Sequence, residues 1–424
     1  MVTTKTYRRI PDSSCVDCLS HSAGAGRSGP AVPHRVKFWL LAFVFTVTML
    51  GTTLPTPLYV IYQAQWHFSA AIVTVTFAVY AAAVLVTLLL AGRTSDQAGR
   101  KSVLAVALAS SALSTVVFIL APNVEVLFAG RVLSGLSAGL MTGTATATLT
   151  ELIPASASRR ASLVATAANM GGLGLGPLVA GLLAQYAPNP TVLVFEVYLG
   201  LLAVAGLCLF LIPETVSPRQ RPTVRFTGLG IPERGRSEFI AAGVAGFAAF
   251  SLLGLFSALA PTFLGSVLHE TSHAVQGAVV FLLLAVGTVT QLLASRAGSR
   301  RVVLAGLGLL LAALALIVAA LSQAGIGLFL AGTVVGGVAV GAVFLGSLAT
   351  ANRLALPGQR GQAISTFFVL CYTGLIIPVV GVGVASQFIG DFRAVLAFAV
   401  LLAALCLFSV AGIRRTHTPG SPDS

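Results

Sequence analysis

The sequence predicts an all-α membrane protein in which twelve transmembrane helices form two pseudo-symmetric six-helix bundles. Three observations lead there. The 424 residues are 56% hydrophobic and only 9% charged, too few polar groups to clothe a water-facing surface, so lipid must solvate most of the chain. Apolar runs of roughly 19 to 26 residues, the length a helix needs to cross a bilayer, recur from Phe38 to Ile413. Finally, Gly130-Arg131, Gly135 and Gly139 reappear as Gly332-Thr333, Gly337 and Gly341, displaced by 202 positions (341 − 139), while the Arg159/Arg360 and Pro177/Pro378 pairs follow at 201 (378 − 177). One helical bundle is written twice, and duplicated helical halves in a membrane usually build a transporter.

Taken in order, residues 1–37 are polar and read as a disordered cytoplasmic tail. No cleavable signal is expected, because the first apolar run is itself long enough to span. Spans are expected at 38–61, 69–91, 103–121, 126–148, 161–186 and 191–212, an N-terminal bundle over 38–212. Residues 213–238, rich in Pro and Arg, read as a cytoplasmic linker. Spans at 239–263, 275–294, 302–321, 325–348, 362–386 and 393–413 make the C-terminal bundle over 239–413, and 414–424 is a second tail. The other loops are short, so helices pack as antiparallel neighbours and the cleft between halves is the natural place for a midplane site. Pairs of glycines four apart, such as Gly172 and Gly176, allow close helix approach in lipid, and packing without function is the other reading of each pair.

Where the cations fall explains the net charge of +13. One set of alternating loops carries Arg93, Arg100, Lys101, Arg159, Arg160, Arg296, Arg300, Arg301, Arg353 and Arg360, with more in both tails and the linker, whereas the opposite loops carry Arg393 alone. Basic loops stay cytoplasmic, so both termini are expected inside a cell membrane, and the basic balance is a topology signal, not a nucleic-acid footprint. Cys15 and Cys18 with His21 make half a zinc site without a second ligand pair, and His269, Glu270 and His273 read as an ordinary polar loop beside a weaker metal reading. No metal, cofactor or nucleic-acid partner is expected, and the protein is expected to act as a monomer in the lipid bilayer.

The loop after the second span reads Gly92-Arg93-Thr94-Ser95-Asp96-Gln97-Ala98-Gly99-Arg100-Lys101. Asp96 at such a turn can bond a neighbouring helix N-terminus while Arg100 reaches another acid, a cluster able to latch one conformation. A solvated topogenic turn is the alternative. Arg131 lies about a turn and a half inside its span, where a cation costs roughly 2–4 kcal/mol unless it is paired or snorkels. Its copied position is Thr333, so the helix itself does not require a cation there.

These residues resemble the major facilitator superfamily. Gly92, Asp96, Gly99, Arg100 and Lys101 match its signature in that loop, with departures at Thr94, Ser95 and Gln97. The resemblance implies a gating motif there, with Glu151 as the acid facing Arg100, and a proton-coupling role for Arg131 in an Arg-x-x-x-Gly element. The fifth span is similar to the superfamily's antiporter element: Gly172, Gly176, Pro177 and Gly181 match, Ala180 replaces a glycine, and Leu163 stands at a further upstream glycine position. Leu50-Gly51-Thr52-Thr53-Leu54-Pro55-Thr56-Pro57 looks like the element at that place in twelve-helix drug exporters, with the threonines expected to satisfy backbone groups freed by Pro55 and Pro57.

The resemblance implies export of a small molecule in exchange for protons. Only Glu196 is an acid clearly within a span, and it reads either as an interfacial residue or as a proton site. Thr52, Thr53, Tyr80, Asn169 and Tyr372 are the candidates to line the cleft, and an uncharged, partly aromatic lining suits hydrophobic, drug-like solutes. The sequence carries no P-loop, so a gradient and not ATP must supply the work, and no enzyme activity is expected. A proton-coupled importer of a metabolite is the main alternative, and a membrane-embedded enzyme or lipid-handling protein the remote one.

Overall fold

Backbone polar groups in lipid must find partners within their own segment, so each apolar run closes on itself as a helix. The computed structural model describes residues 33–91, 94–216, 228–356 and 359–415. Gly92, Arg93, Cys15, Cys18, residues 1–32 and 416–424 of the tails and the middle of the linker lie outside the described residues, while 34–37, expected as tail, already belong to α1. The N-terminal half comprises α1 (His34–Thr53), α2 (Tyr59–Trp66), α3 (Ala70–Ala91), α4 (Thr94–Ala98), α5 (Arg100–Ile119), α6 (Val124–Glu151), α7 (Ser158–Tyr186) and α8 (Pro190–Phe210). The C-terminal half comprises α9 (Arg236–Ser266), α10 (His273–Ala294), α11 (Ser299–Gln323), α12 (Ile326–Leu354), α13 (Arg360–Ile389) and α14 (Asp391–Arg415). Twelve of these helices, all but α2 and α4, are long and apolar enough to cross a membrane.

The run expected as one span over 38–61 divides. Pro55 and Pro57 have no N–H to continue the ladder, so α1 ends at Thr53, the chain turns, and α2 starts at Tyr59. Other helices outrun their apolar segments and carry polar ends beyond them, as α12 does in reaching Leu354. Local chemistry sets several starts: Asn123 accepts the Val126 N–H at 3.1 Å at the head of α6, and Ser272 accepts that of Val275 at 3.4 Å at the head of α10.

The duplication in sequence is a duplication of contacts. A Cβ on Gly135 would stand 2.6 Å from the Tyr80 carbonyl oxygen and one on Gly139 2.6 Å from Thr87 Cβ, so these glycines seat α6 against α3. Their copies do the same for α12 on α10: a Cβ on Gly337 would stand 2.6 Å from the Leu283 carbonyl oxygen, and one on Gly341 3.0 Å from Gly287 Cα.

A second repeated device concerns the prolines. Pro177 leaves the carbonyl of Leu173 without its helical donor, and Thr53 of α1 donates to that carbonyl at 2.7 Å. Pro378 likewise frees Gly374, whose carbonyl accepts from Ser251 of α9 at 3.0 Å. The Thr53 hydroxyl therefore serves the proline of another helix, not Pro55 or Pro57, because a freed carbonyl in a dry interior takes the donor that geometry brings.

The halves meet along two seams, α7 on α10 and α3 on α13. At the face away from the basic loops both seams are tight. The Gln387 amide donates to Ser69 Oγ at 2.7 Å, the His273 backbone N–H donates to Gln185 Oε1 at 2.9 Å, and a Cβ on Gly383 would lie 2.6 Å from Thr74 Cγ2. On the basic face, Arg159 Nη2 reaches Ser295 Oγ across the α7–α10 seam at 3.0 Å.

Candidate functional site

A charged cluster organises the basic face of the N-terminal half. Arg100, nearly buried at the start of α5, donates to Glu151 Oε1 at 2.8 Å and pairs with Asp96 Oδ1 at 2.6 Å, while also reaching Ser95. Thr215 donates to the other oxygen of Glu151 at 2.6 Å. The N-terminus of α5 is held by Glu214, which accepts from the N–H groups of Arg100 at 2.7 Å and Lys101 at 3.1 Å. Carboxylates favour that position because a helix start presents unpaired N–H groups and a positive dipole end. Gly99 stands just before, at φ 93°, where an L side chain is strained and its Cβ would press within 3.0 Å of the Glu214 carboxyl carbon.

One expectation is corrected here. The acid at the helix start is Glu214, not Asp96, because the chain leaving α8 passes over α5 while Asp96 is drawn to the guanidinium four residues on. The cluster also lies wholly within the N-terminal half, tying α4, α5 and α6 to the first residues of the linker, so its described contacts do not bridge the halves. Gly92 lies outside the described residues. In the second half the position copied from Glu151 is Arg353 (353 − 151 = 202), and its partner is Glu238 at the start of α9, so the charge order is inverted and a different helix is clasped.

With Asp96 exposed, the Asp96–Arg100 pair is screened by solvent on its acid side and contributes about 1 kcal/mol or less to stability. Asp96→Asn is therefore expected to leave insertion and thermal stability unchanged but to lower transport about three- to tenfold, by letting Arg100 swing wholly to Glu151. Unchanged initial rates in vesicles would remove the latch role.

Arg131 does not snorkel. It is fully buried in α6, where its Nη1 donates to the Thr52 carbonyl at 2.6 Å and its Nε to the Tyr59 hydroxyl. The break between α1 and α2 makes this possible, because it turns Tyr59 back onto α6. The guanidinium carbon lies 5.2 Å from the Tyr59 ring, 5.5 Å from Tyr80 and 5.7 Å from Phe118. Aromatic faces partly offset the charge, but no described carboxylate pairs with it and Nη2 has no hydrogen-bond partner among the described residues. Glu196, the other proton-coupling candidate, is exposed on α8, a helix that packs mainly on α1, α5 and α7 of its own half, and so stands apart from the cleft.

The glycines of α7 serve both neighbours. A Cβ on Gly172 would lie 2.5 Å from the Thr46 carbonyl oxygen of α1 and one on Gly176 3.0 Å from the N of Leu54, just past its end, whereas Gly181 and Pro177 abut Gly277 of α10 in the other half. One bare helix thus packs inside its own bundle and lies against the other.

Between α7, α9, α10 and α12 lies a small cleft with about 20 Å³ of room for water. Met170 of the N-terminal half faces Phe250, Phe344 and several leucines of the C-terminal half, and Gln291 is the single amide among them. The wall continues as a ring cluster, with Phe250 5.4 Å from Phe344 and 5.8 Å from Tyr372. None of the five expected lining residues touches this pocket directly. Thr52 and Thr53 spend their hydroxyls on backbone carbonyls, Tyr80 packs by Arg131, Asn169 donates to Thr142 at 3.3 Å one residue from Met170, and Tyr372 backs the ring cluster. Gln291 and Glu214 were missed. A lone amide in an apolar span was the available signal for the first, and only the path of the linker reveals the second.

The family model described as Major Facilitator Superfamily matches residues 41–296 of the chain. Among solved structures, the chain is similar to the human organic anion transporter MFSD10 (TETRAN), at 19% identity and TM-score 0.62, over 89% of this chain and 100% of that one. It is also similar to a bacterial homolog of the human lysosomal transporter Spinster, inward-facing and occupied, at 15% identity and TM-score 0.70, over 92% and 100% of the two chains. A POT family transporter in complex with 5-aminolevulinic acid aligns at 11% identity and TM-score 0.74, over 91% and 96%. At these identities the likeness is one of fold. No curated protein matches the chain in sequence.

Proposed function

From membership of the Major Facilitator Superfamily, to which this chain belongs, we propose that the protein exports small hydrophobic, drug-like molecules across the cell membrane by alternating access, in exchange for protons. It is a secondary transporter, and the two seams are the surfaces on which its halves rock. The single observation that carries the substrate class is the pocket, an aromatic and aliphatic lining with one amide and no ionisable side chain, into which a sugar or carboxylate would bring polar groups without partners. The glycine face of α7, bare toward both α1 and α10, supports the antiport reading, and Arg131 is the residue assigned to proton coupling. In this reading the basic face is cytoplasmic, both termini lie inside, and one chain is the working unit.

Inside-out vesicles acidified within test this directly. Adding a neutral hydrophobic drug should dissipate the pH gradient as protons leave in exchange, and a hydrophilic sugar should not. Accumulation of solute only in right-side-out vesicles, driven by an inward proton gradient, would replace export by import.

A further inference from the structure

We propose that the junction of α1 and α7 on the basic face holds the headgroup of an anionic phospholipid, with Arg35 and Arg160 taking its phosphate on either side of Trp39. The inference rests on the membrane-spanning fold and on no part of the export reading.

Tryptophan gathers where a bilayer meets water, since most of its ring is apolar and its N–H is not. The chain has 2 tryptophans. One of them, Trp39, stands 53% exposed in the second turn of α1, with the guanidinium of Arg160 from the start of α7 over its ring at 5.9 Å. Arg35 precedes Trp39 by four residues and Phe43, also exposed, follows it by four, so the three share one face of α1 at steps of about 6 Å along the axis. From the helix end inward that face runs cation, indole, phenyl. A phospholipid lying along it would present phosphate, glycerol backbone and acyl chain in the same order.

Charge selects the headgroup. Arg35 and Arg160 are both exposed, and neither makes an ion pair among the described residues. No Asp or Glu occurs in residues 33–43 or 152–163, and the acids nearby are spent elsewhere: Asp96 and Glu151 on Arg100, Glu214 on the start of α5, and Glu238 on Arg353. The first turn of α7 has no side-chain cap, so its unpaired N–H groups add a positive dipole end. Stacking on the indole covers one face of the Arg160 guanidinium and leaves its N–H edge free to take two phosphate oxygens. A zwitterionic headgroup would bring its own cation into this positive field, whereas an anionic one would not. The copied position of Arg160 is Gly361 (361 − 160 = 201), so the helix start does not itself require a cation there.

The test is fluorescence quenching of the full chain carrying Trp66→Phe, in which Trp39 is the one tryptophan left. In phosphatidylcholine liposomes with a small fraction of acyl-brominated lipid, brominated phosphatidic acid should be enriched at Trp39 about twentyfold over brominated phosphatidylcholine, the scale of two surface cations. Arg160→Gln and Arg35→Gln should each lower that preference about fivefold. Arg414→Gln, which removes an exposed cation from the end of α14 in the other half, should leave it unchanged. Quenching by brominated phosphatidylcholine should be the same in every variant, which shows that Trp39 still sits in the bilayer. Soluble glycerol 3-phosphate should not displace the lipid, because it has no chain to lay along Phe43. Equal enrichment of the two brominated lipids, a preference that survives Arg35→Gln and Arg160→Gln or falls equally in Arg414→Gln, or displacement by glycerol 3-phosphate overturns the proposal. These measurements need neither gradient nor solute, so their failure leaves the export reading standing, and a failure of proton-driven movement in vesicles leaves the lipid site standing.

Discussion

Arg131→Met is expected to lower proton-driven transport by about two orders of magnitude, ~3 kcal/mol in a rate-limiting step, while shifting stability by less than about 2 kcal/mol. The two effects separate because of where the side chain sits. Its charge is fully buried and faces no described carboxylate, and its Nη2 is unpartnered, so the folded state gains little from it. Methionine removes the desolvation cost and leaves the Tyr59 hydroxyl and the Thr52 carbonyl short of a donor, two terms of opposite sign and similar size. What is lost is the only described cation in the membrane interior that touches both segments of the broken first helix. Lysine should not rescue, because one ammonium cannot hold a carbonyl and a hydroxyl in the fixed fork of a guanidinium. Substrate exchange without net proton movement is the control: in Arg131→Met it should persist when gradient-driven flux is gone. Full coupling in the methionine variant would dismiss Arg131 from the mechanism.

Gly277→Leu is expected to lower transport more than tenfold by a different route. A Cβ at Gly277 would lie 2.9 Å from the Pro177 carbonyl carbon and 3.2 Å from Gly181 Cα, on the face away from the basic loops. Backbone cannot yield as a side chain can, so the leucine must force α7 and α10 apart where the halves seal. Bulk within one bundle would destabilise it, but bulk at a seam between rigid bodies should shift their equilibrium toward the state open on that face. Cysteines placed at Gln185 and Gln387 should then react faster with a membrane-impermeant maleimide added from that side than they do in the native background. Equal labelling rates would show that the seam does not open there.

The sites differ in how legible they were. Arg100 and Glu151 could be named as partners from the family resemblance, and they stand 2.8 Å apart, a buried guanidinium at one helix start meeting the acid at the adjacent helix end. Asp96 and Arg131 were visible as residues but not as environments. A charge in an apolar run is equally compatible with snorkelling and with burial, and only the turn at residues 54–58, which brings Tyr59 to α6, decides for burial. The lining of the pocket was the least legible. Threonines in an apolar span look available for a solute, yet Thr53 is committed to a carbonyl that Pro177 frees on another helix.

By itself the sequence determined what short-range and compositional physics controls: helices, because lipid permits little else; their number, because bilayer thickness sets their length; and the twofold plan, because the small residues where helices cross recur at a constant displacement. The tertiary structure alone decided which polar groups satisfy one another. Those pairings, Glu214 with the start of α5, Thr53 with Leu173, and Arg353 with Glu238, join residues more than a hundred positions apart, and no local rule fixes the distance between them.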